Sequence, residues 1–384
     1  MQISFGNKNR ELKPFTVGLE EKTRFLVNIG HMDDSLSLDD EKRKVKIAYD
    51  NQIDIIADNS ISSSAYDFRK WIVQNYPIKL NSVPIYQCFD KMQNGTFEYN
   101  YLNESIDQHI DSGADMLVVH PGLTSEIASK IGNDNRVIPI TSRGGAQIYS
   151  YMTRYHQENP YYLHWDEILD QVKSTGVCLA LGLTLRAGSI IDELDELYLK
   201  EMDICGSLIE RALAKNIPVV VEGIGHVRLK SINKLIREVN QRCHNVPIKT
   251  LGPVGSDRLC GLDNINALIT SSVAALSGVS IIGALLRSEH IGLPKVEDYE
   301  RDLPNYRILK YLLELEDENQ ENLELEKDIS IARRNRCWHE VFQNAMFPEI
   351  ARSSYFNYNE KETDVCTMCG KRCAHKLVLG NMKL

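Results

Sequence analysis

Nine short apolar runs, rich in β-branched residues and each breaking into polar or glycine residues, punctuate the first 290 positions of this chain. They are FLVNIG (25–30), IDIIADN (53–59), NSVPIYQ (81–87), DMLVVHPG (115–122), VIPITSRGG (137–145), GVCLALGLTLRAG (176–188), IPVVVEGIGH (217–226), IKTLGPVGSD (248–257) and VSIIGALLRSEH (279–290). Continuous apolar runs without alternation read as strands buried on both faces, as in parallel sheets. The sequence between them carries helical periodicity. Over 195–216, Leu197, Met202, Ile204, Leu208, Ile209 and Leu213 recur mostly at spacings of one or two turns. Strand–helix units of this size, with no nucleotide-binding glycine fingerprint, predict an α/β fold of the (β/α)8 TIM-like barrel type rather than an open sheet. Eight places for nine runs mean that one run lies outside the barrel.

The pattern changes after residue 292. Helices are predicted over 305–316 and 329–346, joined by the acidic run 314–328 as a solvated helix end or linker. Trp338, Phe342 and Met346 recur every fourth position and read as packing residues. Residues 353–365 are polar, and three cysteines follow at 366, 369 and 373. The expected organisation is an N-terminal segment (1–20), a barrel catalytic domain (21–292), a helical region (293–352) and a C-terminal tail (353–384).

Composition narrows the class. With 384 residues, 43% of them hydrophobic and 25% charged, the chain reads as an ordinary soluble protein. Its formal charge of −9 argues against a nucleic-acid surface, which needs a basic stripe. The first residues, MQISFGNKNRELK, have no apolar core behind a basic end, so they do not read as a secretory signal. The weakly polar run 271–286 is short and broken by Gly and Ser, so no membrane span is expected. A cytoplasmic protein follows, in which thiols stay reduced and clustered cysteines point to metal or redox chemistry.

Residues just past the C-terminal ends of barrel strands face a common mouth. Reading off those ends gives Asn28, Asp58, Asn59, Tyr86, His120, Ser142, Arg143, Arg186, Glu222, His226, Asp257, Glu289 and His290. Together they describe a polar, charged pocket. His226 and His290, from two different strand ends, are candidate ligands of one metal with positions left open. The stretch TSRGG (141–145) combines a cation with glycines whose backbone N–H groups can approach an anion closely. For the tail, two readings stand level on spacing. Cys366, Cys369 and Cys373 with His375 can hold a structural zinc, or the three thiolates can hold an iron–sulfur cluster with one iron open. A catalytic mouth with no covering group of its own favours the cluster.

These residues carry a resemblance. VNIG (27–30), VPIYQ (83–87), IDSGAD (110–115), SRGG (142–145), LRAG (185–188), EGIGH (222–226), LGP (251–253), EHIGLP (289–294), PEIAR (348–352) and CTMCG (366–370) occur in the order found in the ThiC family. These are the phosphomethylpyrimidine synthases of thiamine biosynthesis, non-standard radical S-adenosylmethionine enzymes, and the chain resembles them from about residue 14 to 373. The resemblance implies a barrel, a helical region and a mobile tail that carries a 4Fe–4S cluster on Cys366, Cys369 and Cys373. It implies a homodimer in which one subunit's tail reaches the other's barrel, and an electron donor of the flavodoxin or ferredoxin type. It implies that His226 and His290 bind one divalent metal, zinc or iron. Asn28, Tyr86, His120, the Ser142–Arg143–Gly144 segment, Arg186 and Glu222 match residues that hold the substrate, 5-aminoimidazole ribotide, and Glu222 is counted with the catalytic set. The implied reaction cleaves S-adenosylmethionine and rearranges the ribotide into 4-amino-5-hydroxymethyl-2-methylpyrimidine phosphate, losing formate and carbon monoxide.

The chain also departs from that pattern. Leu183 and Thr184 stand where the family has an acid and a glycine, Lys249 where it has a tyrosine, and Ala57 where it has a methionine. Gly261-Leu262-Asp263-Asn264 replaces a GYDH motif, and the last cysteine spacing is one residue shorter. If Leu183 and Lys249 both face the pocket, the replacements make it more positive by two charges, suited to a ribotide with an extra anionic group such as a carboxylate; the other reading is that Lys249 turns outward and Leu183 merely packs. Two other readings stay open: a paralogue making a different product, as 5-hydroxybenzimidazole synthases do, and a zinc-dependent barrel lyase with a structural zinc tail.

Overall fold

The computed structural model describes residues 1–132, 135–358 and 361–381. An antiparallel pair, β1 (Gln2–Phe5) and β2 (Phe15–Gly18), precedes eight parallel strands. These are β3 (Arg24–Ile29), β4 (Ile55–Asp58), β5 (Lys79–Ser82), β6 (Met116–Val119), β7 (Cys178–Gly182), β8 (Val219–Glu222), β9 (Ile248–Lys249) and β10 (Ile281–Ala284). They form a closed barrel in chain order, with β10 pairing β3 to complete the ring. Every residue of β4 to β10 is buried, as the unbroken apolar runs require of strands covered on both faces. β9 is the shortest strand, and its register sets Lys249 beside Glu222.

The run that is not a strand is 137–145. Pro139 has no N–H to give a ladder, and the Val137 and Ile138 N–H groups donate instead to the Asp192 carboxylate at 2.8 and 2.9 Å. Ser142 then caps the helix Arg143–Tyr155, its Oγ accepting the Gly145 N–H at 3.2 Å. A second difference lies at 81–87. Pro84 begins a 3-10 helix, Pro84–Cys88, so strand β5 stops at Ser82 and Tyr86 sits in the turn beyond it.

At the N-terminal end of the barrel, a buried polar network takes the place of an apolar plug. Asp115, fully buried, accepts the Asn7 N–H at 3.0 Å and the Leu80 N–H at 3.0 Å. It also pairs with Arg10 and with Lys79, the latter at 3.3 Å. Asn7 Nδ2 donates to the carbonyls of Ile110 and Ala114 at 2.8 and 2.9 Å. A carboxylate with this many donors compensates its own desolvation, and the network ties the N-terminal hairpin to the strand that will carry His120.

The chain separates into two compact units, Met1–Lys310 and Tyr311–Leu384, with the boundary inside the helix Val296–Glu316. In the second unit most of the acidic run 314–328 is helix rather than linker. After a turn, Asn319 caps the helix Gln320–Asn335 by accepting the Asn322 N–H at 3.0 Å, and glutamates are good helix formers. Arg336, in the left-handed region at φ 62°, ends that helix, and short helices Trp338–Asn344 and Pro348–Phe356 follow. Trp338 and Phe342 pack against Tyr355 with ring centroids 5.1 and 5.4 Å away, tilted and edge-on respectively, which accounts for their spacing. Met346 lies past the helix end and is exposed. No helix of the described residues is long and apolar enough to cross a membrane.

Candidate active site

At the C-terminal ends of the barrel strands lies a cavity of about 290 Å³, lined by side chains from all around the ring. That volume suits a small polar molecule, since ligand pockets run from roughly 300 to 1,000 Å³. Asn28, Asn59, Tyr86, His120, Ser142, Arg143, Arg186, Glu222, His226, Glu289 and His290 all line it, so the structure brings these eleven sequence-predicted residues together. Asp58 is not among them. It is buried against Arg69 and the Ser60 hydroxyl, a structural contact.

One wall is built to meet an anion. Because Ser142 caps its helix, the Arg143 and Gly144 N–H groups at the first turn have no intrahelical partner. Helix N-termini of this kind favour negative charge. The Arg143 guanidinium lies over the Tyr86 ring, 4.9 Å from its centroid. Gly144 does not line the cavity but is needed behind it: a Cβ there would come within 2.6 Å of His120 Cε1. His120 therefore slots against the helix start, its Nε2 sharing a hydrogen bond with Ser142 Oγ at 2.8 Å. Burial pushes its pKa down to about 4, with Arg186 adding to the effect and Glu222 opposing it, so the ring is neutral. Its Nδ1 is buried and has no hydrogen-bond partner among the described residues.

Arg186 is held through its own turn. Glu201, from the helix Glu196–Ala214, accepts the Thr184 and Leu185 N–H groups at 2.7 Å each. Arg186 Nη1 donates to the Leu183 carbonyl at 3.1 Å. Leu183 itself is fully buried, pressed against Gly223 and absent from the cavity lining.

The floor is ionic. Lys249, fully buried, pairs with Glu222 from the neighbouring strand and also donates to Asn81 Oδ1 at 3.3 Å. β5 and β9 stand four places apart in a ring of eight, so the Lys249 side chain reaches across the barrel bore. Burial disfavours the Glu222 carboxylate, yet Lys249 and Arg186 outweigh it and hold the group below its usual range. Of the two replacements expected to raise the pocket's charge, only Lys249 lines the cavity. Leu183 packs away from the cavity, and the Lys249 charge is balanced by Glu222.

At the rim, His226 and His290 face each other with ring centroids 5.2 Å apart and planes at 88°. Each has its Nδ1 fixed by a carboxylate: His226 by Asp257 Oδ1 at 2.5 Å, and His290 by Asp263 Oδ2 at 3.1 Å. Among the described residues neither Nε2 has a protein partner, and imidazoles oriented this way are characteristic of metal ligands. Burial holds the His226 pKa below its ordinary value, against Asp257, which favours the neutral ring a metal needs. The half-buried Glu289 lies between rim and floor, accepting from Asn28 Nδ2 at 3.1 Å and the Leu286 N–H at 2.9 Å. Packing around its carboxyl pushes the pKa up to about 7, and those two hydrogen bonds only partly offset the rise.

Cys366, Cys369 and Cys373 belong to the second unit. Two successive turns carry them, with the Gly370 N–H on the Cys366 carbonyl at 3.0 Å and the Cys373 N–H on the Gly370 carbonyl at 3.1 Å. Cys369 is exposed, Cys366 half-buried and Cys373 buried. Asn81 was not singled out from the sequence, because the run 81–87 hides where its strand ends. The Asp263 partner of His290 was noted only as part of a divergent motif.

Residues 2–379 match the profile described as the Radical SAM ThiC family. The phosphomethylpyrimidine synthase of Thermotoga neapolitana is 32% identical over 376 residues, covering 96% of this chain and 88% of that protein. The phosphomethylpyrimidine synthase of Clostridium kluyveri is 32% identical over 372 residues, covering 96% and 85%. Among solved structures, the 7,8-dihydropteroate synthase of Vibrio fischeri superposes with a TM-score of 0.46 at 12% identity, covering 81% of this chain and 98% of that one.

Proposed function

The chain belongs to the radical SAM ThiC family, and from that premise we propose that it is a phosphomethylpyrimidine synthase acting on 5-aminoimidazole ribotide. The observation that carries this reading is the barrel cavity, where an anion-binding helix start, a paired carboxylate and two oriented histidines converge. Neither a different ribotide product nor a zinc-dependent lyase is favoured by the family and its named relatives.

In this reading the ribotide phosphate takes the Arg143 N–H group and the Arg143 guanidinium. Arg186 adds a second cation, so the cavity carries the positive excess a phosphate monoester needs. Glu222, kept ionised by Lys249, accepts from a ring amine or ribose hydroxyl. The neutral His120 offers Nδ1 to the base or sugar. His226 and His290 would hold a divalent metal, zinc or iron, and Cys366, Cys369 and Cys373 would hold the 4Fe–4S cluster. When bound and reduced, that cluster supplies the electron that cleaves S-adenosylmethionine, and the protein's part is to orient the groups and exclude side reactions. The reading includes a flavodoxin- or ferredoxin-type electron donor, a homodimeric assembly and a cytoplasmic setting.

The test is product analysis under anaerobic conditions with the ribotide, S-adenosylmethionine and a reductant. Ribotide-dependent formation of deoxyadenosine, formate and hydroxymethylpyrimidine phosphate is expected. Deoxyadenosine formed without any pyrimidine product would overturn the choice of product, and no deoxyadenosine at all would overturn the reaction class.

A further inference from the structure

Outside the barrel cavity, one group of side chains has the composition and spacing of a metal site. The helix Gln320–Asn335 ends where Arg336 turns into the left-handed region, and the next helix starts at Trp338. That reversal brings three ligand types to one point: a sulfur of Cys337, a ring nitrogen of His339 and a carboxylate oxygen of Glu340, all within 4.8 Å of one another. The Cys337 Sγ to His339 Nδ1 distance is 3.5 Å. A tetrahedral zinc with Zn–S of about 2.3 Å and Zn–N of about 2.0–2.1 Å sets that edge at roughly 3.5–3.6 Å. Sulfur and nitrogen therefore stand where one ion would hold them.

The donor set selects the ion. Calcium and magnesium take oxygen ligands, whereas thiolate and imidazole together suit zinc. We propose that Cys337, His339 and Glu340 form a zinc site, separate from the histidine pair and the tail cysteines, with one position open to water. The loop is held in readiness by the residue between the ligands. Trp338 packs against Tyr355 at 5.1 Å and donates Nε1–H to the Thr363 carbonyl at 2.7 Å, so its ring points into a small aromatic cluster rather than toward the ligands. Cys337 is half-buried while His339 and Glu340 are exposed, which leaves the site open to exchange with solution. All three ligands come from four consecutive residues, so the ion would fix the corner between two helices and not join distant segments. The proposal does not rest on the barrel's reaction.

Zinc content of the full-length chain, purified anaerobically without added iron, tests it. Wild type is compared with Cys337→Ala and His339→Ala after zinc titration and gel filtration, with circular dichroism as the folding control. Each substitution is expected to remove one equivalent of zinc. With cobalt in place of zinc, the wild-type minus Cys337→Ala difference spectrum should show a sulfur-to-cobalt charge-transfer band. A third measurement needs no variant: zinc should slow alkylation of Cys337 in wild type at least tenfold, read by peptide mass analysis. Equal zinc content in all three proteins, or Cys337 alkylation unchanged by zinc, would show that Cys337 and His339 merely share a hydrogen bond.

Discussion

Replacing Lys249 by methionine keeps the length of the side chain and removes its cation, leaving Glu222 beneath the cavity without its nearest partner. Lys249 is fully buried and Glu222 is 3% exposed, so the pair is almost withdrawn from bulk solvent. Removing one member of a buried pair costs about 3–5 kcal/mol. Arg186 still acts on Glu222, which places the expected loss near the lower end of that range. Urea denaturation of the apo chain, followed by tryptophan emission, reads it. The pH dependence has a definite sign. In wild type the folded Glu222 pKa lies below its usual value, so its stabilisation is present above that usual value and is lost as pH falls through the folded one. In the variant, burial without Lys249 drives the pKa the other way, and Glu222 takes up a proton as pH falls. The deficit is therefore largest at high pH and shrinks toward pH 5. Adding Glu222→Gln removes the stranded charge and should recover at least half of the loss. A single variant within about 0.5 kcal/mol of wild type, or a double variant no more stable than the single, would refute an ionic floor.

Cys369→Ala should abolish deoxyadenosine formation while the barrel unit keeps its unfolding midpoint, since Cys369 is exposed; S-adenosylmethionine cleavage that survives the substitution would remove the cluster from the tail. Asp263→Asn and Asp257→Asn should each weaken metal binding at the histidine pair by about 10–100-fold, measured by metal competition; unchanged affinity in both would make the two carboxylate contacts incidental. Sulfate, whose charge is constant in this range, should bind the cavity more weakly as pH rises through about 7, because Glu289 gains its negative charge there. The drop should be severalfold, on the order of 1 kcal/mol, and Glu289→Gln should flatten it.

How much of this was legible in the sequence depends on what each feature needs in order to be seen. The barrel strands were visible because burial on both faces demands an unbroken apolar run, and β4, β6, β8 and β10 are such runs. Run 137–145 imitates one with Val137, Ile138 and Ile140, yet Pro139 and the Ser142 cap mark it as the approach to a helix. The acidic run 314–328 reads as a solvated helix end or linker from its charge; its first residues do end the helix Val296–Glu316, while the rest, good in helix propensity, starts a new helix at the Asn319 cap. Among the site residues, the histidines and Arg143 could be found because each follows a strand or opens a helix. Asp257 is also legible as a strand end, but the pairing of Asp257 and Asp263 with those histidines is not, since each is distant from its partner in sequence and only the folded loops bring them into contact.

The role of Lys249 shows why a correct residue list is still short of a site. Read alone, a lysine replacing a tyrosine adds a positive charge to a pocket and calls for an anion in the ligand. In the folded chain its reach depends on which strands face one another, and that depends on the strand count. With nine strands, the runs at 81–87 and 248–257 would be the third and eighth members of the ring and would not be diametrically opposed. With run 137–145 removed, β5 and β9 are the third and seventh of eight and stand opposite, so Lys249 spans the bore to Asn81 and meets Glu222 on the way. Which of the nine runs lies outside the ring thus separates two readings of the same charge: a recognition group for an extra anion, or a fixed counter-ion that keeps a carboxylate ionised at the cavity floor. The geometry favours the counter-ion, which in the proposed reading leaves the ligand's negative charge to Arg143, Arg186 and the helix start.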